Sequence, residues 1–521
     1  MKKIFSWTGV LWLAVIIALS SCQFFTPEKT DSITQTLGNS SEREYLAILK
    51  ARDNHTVTVE ELEALVSDFI NPQQEGRSIA PQDKTVITGV SKLSTIGEKR
   101  FSINTAGRSA VNATEEQETV EVYNFITQKP GSDTPGYVLA SNDIRVGNLL
   151  GIAEAGSLDN EELSWFSDIV YSGVRNYIDR KIDLYNSITE EEVEQAVSRS
   201  AARIIGSTAS SGSVYYAYYD NYGYNGYFRS KGFTGTIVSF YYTWTGGYYA
   251  PLPVEWRQRQ PYNYVVNAYK NDGINYPAGC GPVAIAQLMA FHRKPAKCTW
   301  NENVPGLNTN FNNRPYNWSS MRSGVYKTDI KDTGAMDVAV LLFEIGKRSG
   351  TAYAISYEIN PKDGTTIGLT YETGIVAALR DMGYTTPSSF SPYDFSAIKI
   401  SIQSNWPVLI FGSEAVGKTG HFWVIDAVRR MEYYEEYRDD NGNVWTISNP
   451  GTGPGRDNIA NDWVHCNLGW GYEDVGSYYH NYNAWYVSGI FDCRGENQAL
   501  ARSAGTDNVY VSNLRILPNV R

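Results

Sequence analysis

The segment Tyr276–Pro295 reads Tyr-Pro-Ala-Gly-Cys-Gly-Pro-Val-Ala-Ile-Ala-Gln-Leu-Met-Ala-Phe-His-Arg-Lys-Pro, a glycine turn and a cysteine followed by an apolar run. A proline in its first turn and another beyond its end predict a helix from about Pro282 to His292. Cys280 then lies at the helix N-terminus, where the helix dipole and unpaired N–H groups favour the reactive thiolate. Gly279 and Gly281 leave the sulfur accessible. A buried structural cysteine at a tight turn is the alternative.

A nucleophilic thiolate works with an imidazole, and His421 is the best placed of the candidates. A buried strand is predicted at Val408–Gly412, and a Gly- and Lys-containing loop from Ser413 to Gly420 follows it. His421 then opens a second predicted strand, Phe422–Val428, where its ring can face a cleft. The sequence therefore assigns His421 as the general base.

Three other histidines are weaker candidates. His292 lies twelve residues after Cys280 on the same predicted helix, more than three turns away, so its ring is not expected to reach the sulfur. His465 stands beside Cys466 on a predicted strand; with no further ligand at suitable spacing, the pair is interpreted as structural, not as a metal site or a second dyad. His480 is expected in an exposed Tyr- and Asn-rich loop.

A Cys–His pair usually has a third group that orients the imidazole. Asn467 can accept a hydrogen bond from the ring of His421, and Trp470 can shield that bond. Asp426 offers a carboxylate instead, but it lies five residues along the strand and is expected on the opposite face. Asn467 is therefore predicted to orient the base, and an ordinary turn asparagine is the alternative.

Length, charge and cysteine content limit the possible functions. The 521 residues, 42% of them apolar, are enough for two or three folding units, and a net charge of −11 without a basic stripe argues against nucleic acid as a partner. No C-x-x-C pair suggests a metal site, so no metal or other cofactor is expected. Cys298, Cys466 and Cys493 allow at most one disulfide, which the sequence does not assign.

The N-terminus predicts export. Two lysines precede an apolar run from Val10 to Leu19, which is short for a membrane-spanning helix and is followed by Ser-Ser-Cys22. The segment ending at Cys22 resembles a bacterial lipobox, in which the cysteine is acylated and becomes the new N-terminus; a signal peptide with a chance cysteine is the alternative. Residues 1–21 are thus expected to be a lipoprotein signal peptide and residues 22–40 a tether, with Cys22 anchoring the protein to a membrane.

Residues 41–205 and 206–521 are expected to form separate domains. The first shows capping-box spacing at Thr58 and again at Ser187, each before a predicted helix, and offers no nucleophile with a base. After about residue 205 the composition shifts to Gly, Ser and Tyr, which is typical of a junction that proteases cut. Strands are also predicted at Tyr123–Thr127 and Tyr137–Ala140, and a further helix at Trp165–Leu184.

The order of these motifs resembles the streptopain family of papain-like cysteine peptidases. The segments Tyr137-Val-Leu-Ala-Ser141, Leu149-Leu-Gly151 and Gly156-Ser-Leu-Asp159 are similar to the inhibitory propeptide of that family. The catalytic anchors follow in family order. They are Pro261-Tyr-Asn263, Ala278-Gly-Cys280, Ala286-Gln-Leu-Met289, Tyr316-Asn-Trp318, Gly420-His421, Val424-Ile-Asp426 and Asn467-Leu-Gly-Trp-Gly471.

The resemblance implies an α+β protein with a two-lobed papain-like catalytic domain preceded by a smaller α+β propeptide domain. It implies a cysteine endopeptidase made as a latent zymogen, with Cys280 as nucleophile, His421 as base and Asn467 as the orienting residue. Gly279 and Gly420 would line the substrate site.

The same resemblance implies the substrates and the inhibitor, and the lipobox-like N-terminus implies the location. Protein or peptide substrates with an apolar residue at P2 are expected, together with the protein's own propeptide as inhibitor. The activating protease is a second enzyme or the protein itself. The lipid anchor implies a membrane partner and a location in the cell envelope, on the outer membrane facing either the periplasm or the outside, with release after processing as a further option.

Two departures from the family pattern affect the site. Papain-like enzymes commonly have a glutamine six residues before the nucleophile that donates to the oxyanion, and Ile274 stands there. The backbone N–H of Cys280 and the side chain of Asn275 are the remaining candidate donors. Leu468 replaces a tryptophan of the family pattern, which predicts looser packing around the imidazole.

Two other functions fit parts of the sequence. A non-catalytic binding protein on a papain-like scaffold would explain Ile274 and Leu468. A Cys–His cell-wall amidase would share the lipobox and the dyad. Reaction with a thiol-directed peptide probe separates the peptidase from the first, and release of peptides from protein instead of peptidoglycan separates it from the second.

Overall fold

The chain folds into helices packed on antiparallel sheet, which confirms the predicted α+β class. The signal peptide, the tether, Cys22, the junction near residue 205, Trp470 and Cys493 all lie outside the residues that the computed structural model describes. The described residues are most of 42–50, then 55–71, 83–93, 120–132, 134–156, 164–196, 235–356, 365–413, 420–439, 444–448, 461–469, 473–475, 478–480, 483–491 and 513–521.

Helices come from both halves of the chain. No helix within these ranges is both long enough and apolar enough to cross a membrane. The helices are α1 (Val59–Ile70), α2 (Ser164–Asn186), α3 (Tyr264–Lys270), α4 (Cys280–His292), α5 (Trp318–Met321), α6 (Ala335–Arg348), α7 (Glu372–Asp381) and α8 (Phe395–Gln403).

The strands belong to one large sheet and three small hairpins. In chain order they are β1 (Val86–Lys92), β2 (Val122–Gln128), β3 (Gly136–Ser141), β4 (Leu149–Ala153), β5 (Gly235–Tyr249), β6 (Asn303–Val304), β7 (Thr309–Asn310), β8 (Ala352–Ser356), β9 (Thr365–Leu369), β10 (Ser391–Pro392), β11 (Val408–Ser413), β12 (Gly420–Asp439), β13 (Val444–Ser448), β14 (Asn461–Asn467), β15 (Glu473–Val475), β16 (Tyr478–His480), β17 (Ala484–Val487) and β18 (Asn513–Leu517).

The large sheet has twelve described strands and runs without a break from the N-terminal unit into the C-terminal unit. Its order is β1-β2-β3-β4-β17-β14-β12-β11-β18-β10, and β5 and β13 both pair with β12. The junction is the antiparallel pairing of β4 with β17, where Ile152 lies opposite Trp485 and Gly151 opposite Tyr486. The first 205 residues therefore contribute strands to the same sheet that carries His421.

The two faces of strand β12 build two separate hydrophobic cores, because successive side chains of a strand point to opposite faces. Trp423 and Ile425 belong to one core, which also contains residues of β2, β3, α1 and α2 and is called here the shared core. Phe422 and Val424 belong to the other, built around α3, α4, α6 and α7 and called here the helix core. The two cores correspond to the two predicted lobes, and β12 lies between them.

The shared core joins the N-terminal unit tightly to the sheet. Tyr137 on β3 and Tyr486 on β17 are both buried, and their hydroxyl oxygens lie 2.6 Å apart. A Cβ at Gly151 would come within 2.9 Å of the Tyr486 ring, and one at Gly489 within 2.6 Å of the Tyr177 ring on α2. These contacts are those of a protein interior and not of a loosely docked segment.

One predicted helix start is confirmed and one is wrong. Thr58 and Glu61 form the predicted capping box at the start of α1. The second box forms at Thr189 and Glu192 instead of at Ser187, since Glu192 and the Thr189 backbone and hydroxyl exchange hydrogen bonds. Arg43 explains the choice, because its guanidinium binds the Glu192 carboxylate and thereby fixes that residue at the helix start.

The tyrosine pair tests how closely the two units are coupled. Tyr137→Phe leaves the buried Tyr486 hydroxyl without this partner, and the free energy of unfolding of the full chain should fall by about 1–3 kcal/mol. The double variant Tyr137→Phe/Tyr486→Phe should lose less than the sum of the two single variants. Urea unfolding followed by tryptophan fluorescence measures all three; strict additivity would contradict the coupling.

Candidate active site

Helix α4 presents Cys280 as its first residue, so the helix begins slightly earlier than the sequence predicts. Gly279 caps it with φ 97°, a conformation that a residue with a side chain rarely adopts. A Cβ at Gly279 would also meet the Gly368 carbonyl at 3.1 Å. The prediction that Cys280 lies at a helix N-terminus is therefore confirmed, and the conformation of Gly279 adds a requirement for glycine before it.

The turn before Cys280 is held from two sides that the sequence did not indicate. The N–H of Ala278 donates to the Gln258 carbonyl at 2.7 Å. The β8–β9 hairpin lies on the other side, where the Thr366 hydroxyl donates to the Asn275 carbonyl at 2.9 Å. A Cβ at Gly368 on this hairpin would approach Gly279 Cα to 2.9 Å. The nucleophile turn is thus closely packed on both sides.

The sulfur of Cys280 meets the edge of β12. Strand β14 ends at Asn467, opposite Val424, so within the described ranges no strand pairs with the edge of β12 beyond that pair on this side. The backbone of Phe422 hydrogen-bonds to the Cys280 sulfur there, as does the N-terminal backbone of α4. Cys280 is partly exposed, and burial raises the pKa of its thiol despite these hydrogen bonds.

His421 stands next to that contact, at the start of β12. Its side chain is 2% exposed, and its ring stacks on Trp423 at 6.0 Å between centroids with an interplanar angle of 15°. Burial lowers the pKa of His421 to about 4, although the backbone of Leu468 opposes this shift. In this state both the thiol and the imidazole favour their neutral forms.

The acceptor for the His421 ring is a backbone carbonyl and not the predicted asparagine. Nε2 lies 2.9 Å from the Leu468 oxygen and, since a carbonyl only accepts, carries the proton. Nδ1 therefore holds the lone pair of the neutral ring. Asn467 Oδ1 instead accepts from Gln287 Nε2 at 3.1 Å and from the Gly469 N–H at 3.2 Å, and Asn467 Nδ2 donates to the Val254 carbonyl.

Asn467 consequently acts as a joint between β14 and the nucleophile helix. Gln287 lies on α4 two turns after Cys280, is fully buried, and accepts the Trp256 N–H at 2.9 Å. The turn at Gly469 packs on the same helix, since a Cβ there would lie 3.1 Å from Val283. Gln287 is a residue that sequence reasoning missed, because nothing in its neighbourhood marks a helical glutamine as an interlobe contact.

The other predicted substrate-site residues lie around this centre. Gly420 opens β12 opposite Ser413, and a Cβ there would come within 2.2 Å of the Gly412 carbonyl. Asn275 is exposed, and its Oδ1 accepts from the amides of Asn263 at 2.8 Å and Asn267 at 2.9 Å. The structure therefore fixes the orientation of the Asn275 amide five residues before Cys280.

The remaining candidate histidines belong to other parts of the fold. His292 ends α4 and packs on Tyr384, and burial lowers its pKa. His480 belongs to strand β16, so the loop predicted for it is wrong. His465 lies on β14 as predicted, with Nδ1 2.6 Å from an oxygen of Asp426.

The other described cysteines are buried free thiols. Cys298 lies by Tyr316 and Glu344, and burial with the nearby Glu344 carboxylate raises its pKa to about 11. Cys466 is fully buried on β14, which raises its pKa as well. Within the described ranges no three His, Cys, Asp or Glu side chains are grouped so as to hold a metal ion.

Comparison with known proteins points to the same family as the sequence motifs. Residues 256–479 match the family model of the Peptidase C10 family, which confirms the resemblance to the streptopain family. No curated protein matches the chain.

Two solved structures resemble the chain at low identity. A fragment of Prevotella intermedia prointerpain A carrying a Cys-to-Ala mutation is 16% identical, with 78% of this chain and 96% of that chain covered and a TM-score of 0.38. Active wild-type Prevotella intermedia interpain A cysteine protease is 21% identical, with 47% and 96% covered and a TM-score of 0.27.

The burial of Cys280 predicts a thiol of low reactivity in the full chain. An exposed cysteine titrates near pH 8.5, whereas a raised pKa means that the thiolate appears only at higher pH. The alkylation rate of Cys280 by iodoacetamide, followed by mass spectrometry, should therefore rise at a higher pH than that of an exposed cysteine. The same chain in urea, where the thiol is solvated, is the control, and a rate that is already maximal at pH 6 in the folded chain would contradict the prediction.

Proposed function

We propose that the chain is a cysteine endopeptidase made as a latent zymogen, with Cys280 as nucleophile and His421 as general base. The observation that carries the proposal is the meeting of three elements at the open edge of β12. The sulfur at the start of α4 contacts the backbone of Phe422, and the adjacent His421 has its Nε2 proton held by the Leu468 carbonyl. The lone pair of the imidazole then resides on Nδ1, the nitrogen that can take the thiol proton.

The proposed reaction proceeds through an acyl-enzyme. Nδ1 of His421 accepts the proton of Cys280, and the thiolate attacks the carbonyl carbon of the scissile peptide. The imidazolium donates that proton to the leaving amine as the C–N bond breaks. Water then attacks the thioester, His421 removes its proton, and the carboxylic product leaves with the thiol restored.

Backbone and side-chain donors would stabilise the oxyanion. The N–H of Cys280 lies at the N-terminus of α4, where the first backbone N–H groups have no carbonyl partner within the helix. The amide of Asn275 supplies the second donor, since Asn263 and Asn267 occupy its oxygen and so fix the position of its nitrogen. We propose that Asn275 takes the role of the glutamine that papain-like enzymes have near this position.

Latency follows from the shifted pKa values of the pair. Burial raises the pKa of Cys280 and lowers that of His421 to about 4, so the thiolate–imidazolium form is unfavourable in the full chain. The N-terminal unit shares its core with the sheet that carries His421. We propose that cleavage near residue 205, by a second protease or by the enzyme itself, releases this unit as an inhibitory propeptide and exposes the pair to water.

Export and anchoring complete the proposal. The lipobox-like sequence ending at Cys22 supports acylation of that cysteine and attachment to a bacterial membrane. The enzyme would then act on proteins or peptides in the cell envelope or outside it, with an apolar side chain at P2.

Removal of the nucleophile tests the assignment. Full chain cleaved by limited proteolysis near residue 205 should hydrolyse a fluorogenic peptide with leucine at P2, and the intact chain should not. Cys280→Ala and His421→Ala should each lower kcat/KM by about 10⁴-fold or more, because nucleophile and base act as a unit. Cys298→Ala, which changes a buried cysteine elsewhere, should retain activity. Hydrolysis by the Cys280→Ala variant would refute the proposed function.

An isosteric change tests the oxyanion donor. Asn275→Asp keeps the oxygen that Asn263 and Asn267 bind but removes the N–H donor, so kcat should fall about 10²- to 10³-fold with little change in KM. Gln258→Glu is the matched control, since the Gln258 carbonyl holds the nucleophile turn through its backbone and not through its amide. A loss of kcat in Gln258→Glu alone would assign the donor to Gln258 instead.

A further inference from the structure

A partly buried ion pair links strands β12 and β14, the strands that carry His421 and Asn467. Nδ1 of His465 on β14 is 2.6 Å from Oδ1 of Asp426 on β12, and the two side chains are 25% and 6% exposed. The other carboxylate oxygen, Oδ2, accepts the N–H of Leu252 at 3.0 Å. The carboxylate therefore joins two strands of the sheet to the segment that leads toward the nucleophile.

The pair occupies an irregularity in the sheet. Strands β12 and β14 pair in register from Val424–Asn467 to Ile425–Cys466, and the register then shifts so that Ala427 faces His465. Asp426 is the extra residue of this β-bulge. Bulges redirect side chains and set the register of the strands around them. The hydrogen bond to His465 stabilises this bulge and so the register of β14. Leu468 follows His465 by three residues, and its carbonyl oxygen is the acceptor for the His421 ring.

The pair also reaches the nucleophile through residues 250–258, called here the interlobe segment. Asp426 binds it at Ala250, whose N–H donates to the Asp426 carbonyl at 2.8 Å, and again at Leu252. Further along, Asn467 binds the Val254 carbonyl and Gln287 binds the Trp256 N–H. The segment ends at Gln258, whose carbonyl accepts from Ala278 two residues before Cys280.

We propose that Asp426 and His465 are a positioning pair that sets the spacing between the imidazole of His421 and the thiol of Cys280. The inference rests on the proposed function of those two residues. One route runs along β14 to the Leu468 carbonyl that holds the imidazole. The other runs along the interlobe segment to the turn that holds the thiol. Removing the bond between the pair releases both routes at once.

The charges around His465 favour the ionised pair. Burial opposes a charge on the ring, but the Asp426 carboxylate outweighs it, and Glu255 on the interlobe segment and Glu154 after β4 act in the same direction, so the pKa of His465 is raised. Trp485 packs on the ring at 5.1 Å. As the pKa is raised, the contribution of the ion pair is complete at low pH and is lost as the pH rises through the pKa of the folded state.

Two substitutions at one position separate positioning from stability. His465→Leu removes the donor and keeps an apolar side chain, whereas His465→Asn places an amide N–H near the position of Nδ1. After limited proteolysis of the full chain, His465→Leu should lower kcat about 10²-fold with KM within about twofold, as expected for a misplacement of about 1 Å. His465→Asn should recover at least tenfold of that loss.

A variant in the helix core serves as a control that changes stability but not the proposed site. Glu344 is fully buried in the helix core, binds Tyr316 and Arg348, and lies outside the proposed site, so Glu344→Gln should lower the thermal midpoint without changing kcat. The pH dependence of Cys280 alkylation in the processed protein is the second readout, and its midpoint should rise in His465→Leu only.

The outcomes distinguish the two hypotheses. The positioning role is refuted if His465→Leu keeps the wild-type kcat and the wild-type pH profile of alkylation. It is also refuted if the loss of kcat in the His465 variants and in Glu344→Gln is proportional to the decrease in thermal midpoint. If His421→Ala leaves kcat and alkylation unchanged, the proposed function itself fails, whatever the His465 variants do.

Discussion

Strand β12 must serve two cores at once, and the arrangement of the proposed site follows from that constraint. His421 and Trp423 turn to one face of the strand, and Phe422 and Val424 turn to the other, where helix α4 packs. A thiol on α4 can meet a histidine on the opposite face only around the edge of the strand. Among the described residues no strand pairs with that edge beyond Asn467, where β14 ends. Cys280 is the first residue of its helix, and its sulfur contacts the backbone of Phe422 at this edge.

The same position explains why the full chain favours uncharged groups. A thiolate and an imidazolium each lose several kcal/mol of hydration when they are buried, and their mutual attraction compensates only if water or further donors reach them. In the full chain, burial shifts the pKa of both groups toward the neutral state. The N-terminal unit contributes strands and side chains to the shared core on the histidine face, so its departure would change the solvation of that face directly. The latency proposed above would then depend on solvation as well as on access to substrate.

Local signals in the sequence were enough to locate the two proposed reactive residues. The features that the sequence did not predict depend on contacts between residues far apart in the chain. The glycine turn and the apolar run between two prolines predicted that Cys280 starts a helix. The order of strand, loop and strand predicted that His421 starts the second strand. Both predictions use only residues that are close in the chain, and the structure agrees with them. The second capping box was misplaced since both Ser187 and Thr189 fit the spacing, and the choice is made by Arg43, almost 150 residues away. Likewise the hairpin against Gly279 becomes visible only when the chain is folded.

The error at Asn467 has a different cause, and it changes how the departure at Leu468 should be judged. Every residue has a carbonyl, so no sequence pattern marks the one that accepts from His421. Since the acceptor is the backbone of Leu468, the replacement of a tryptophan side chain there leaves the hydrogen bond available. The hydrogen bond requires only that the backbone at residue 468 is held in place. The Leu468 side chain is buried in the shared core, and the Leu468 N–H donates to Asn483 at 3.1 Å. The preceding residue, Asn467, is bound to Gln287. Asn467 thus orients the base indirectly, by holding the backbone next to it, and its amide is occupied in joining the lobes.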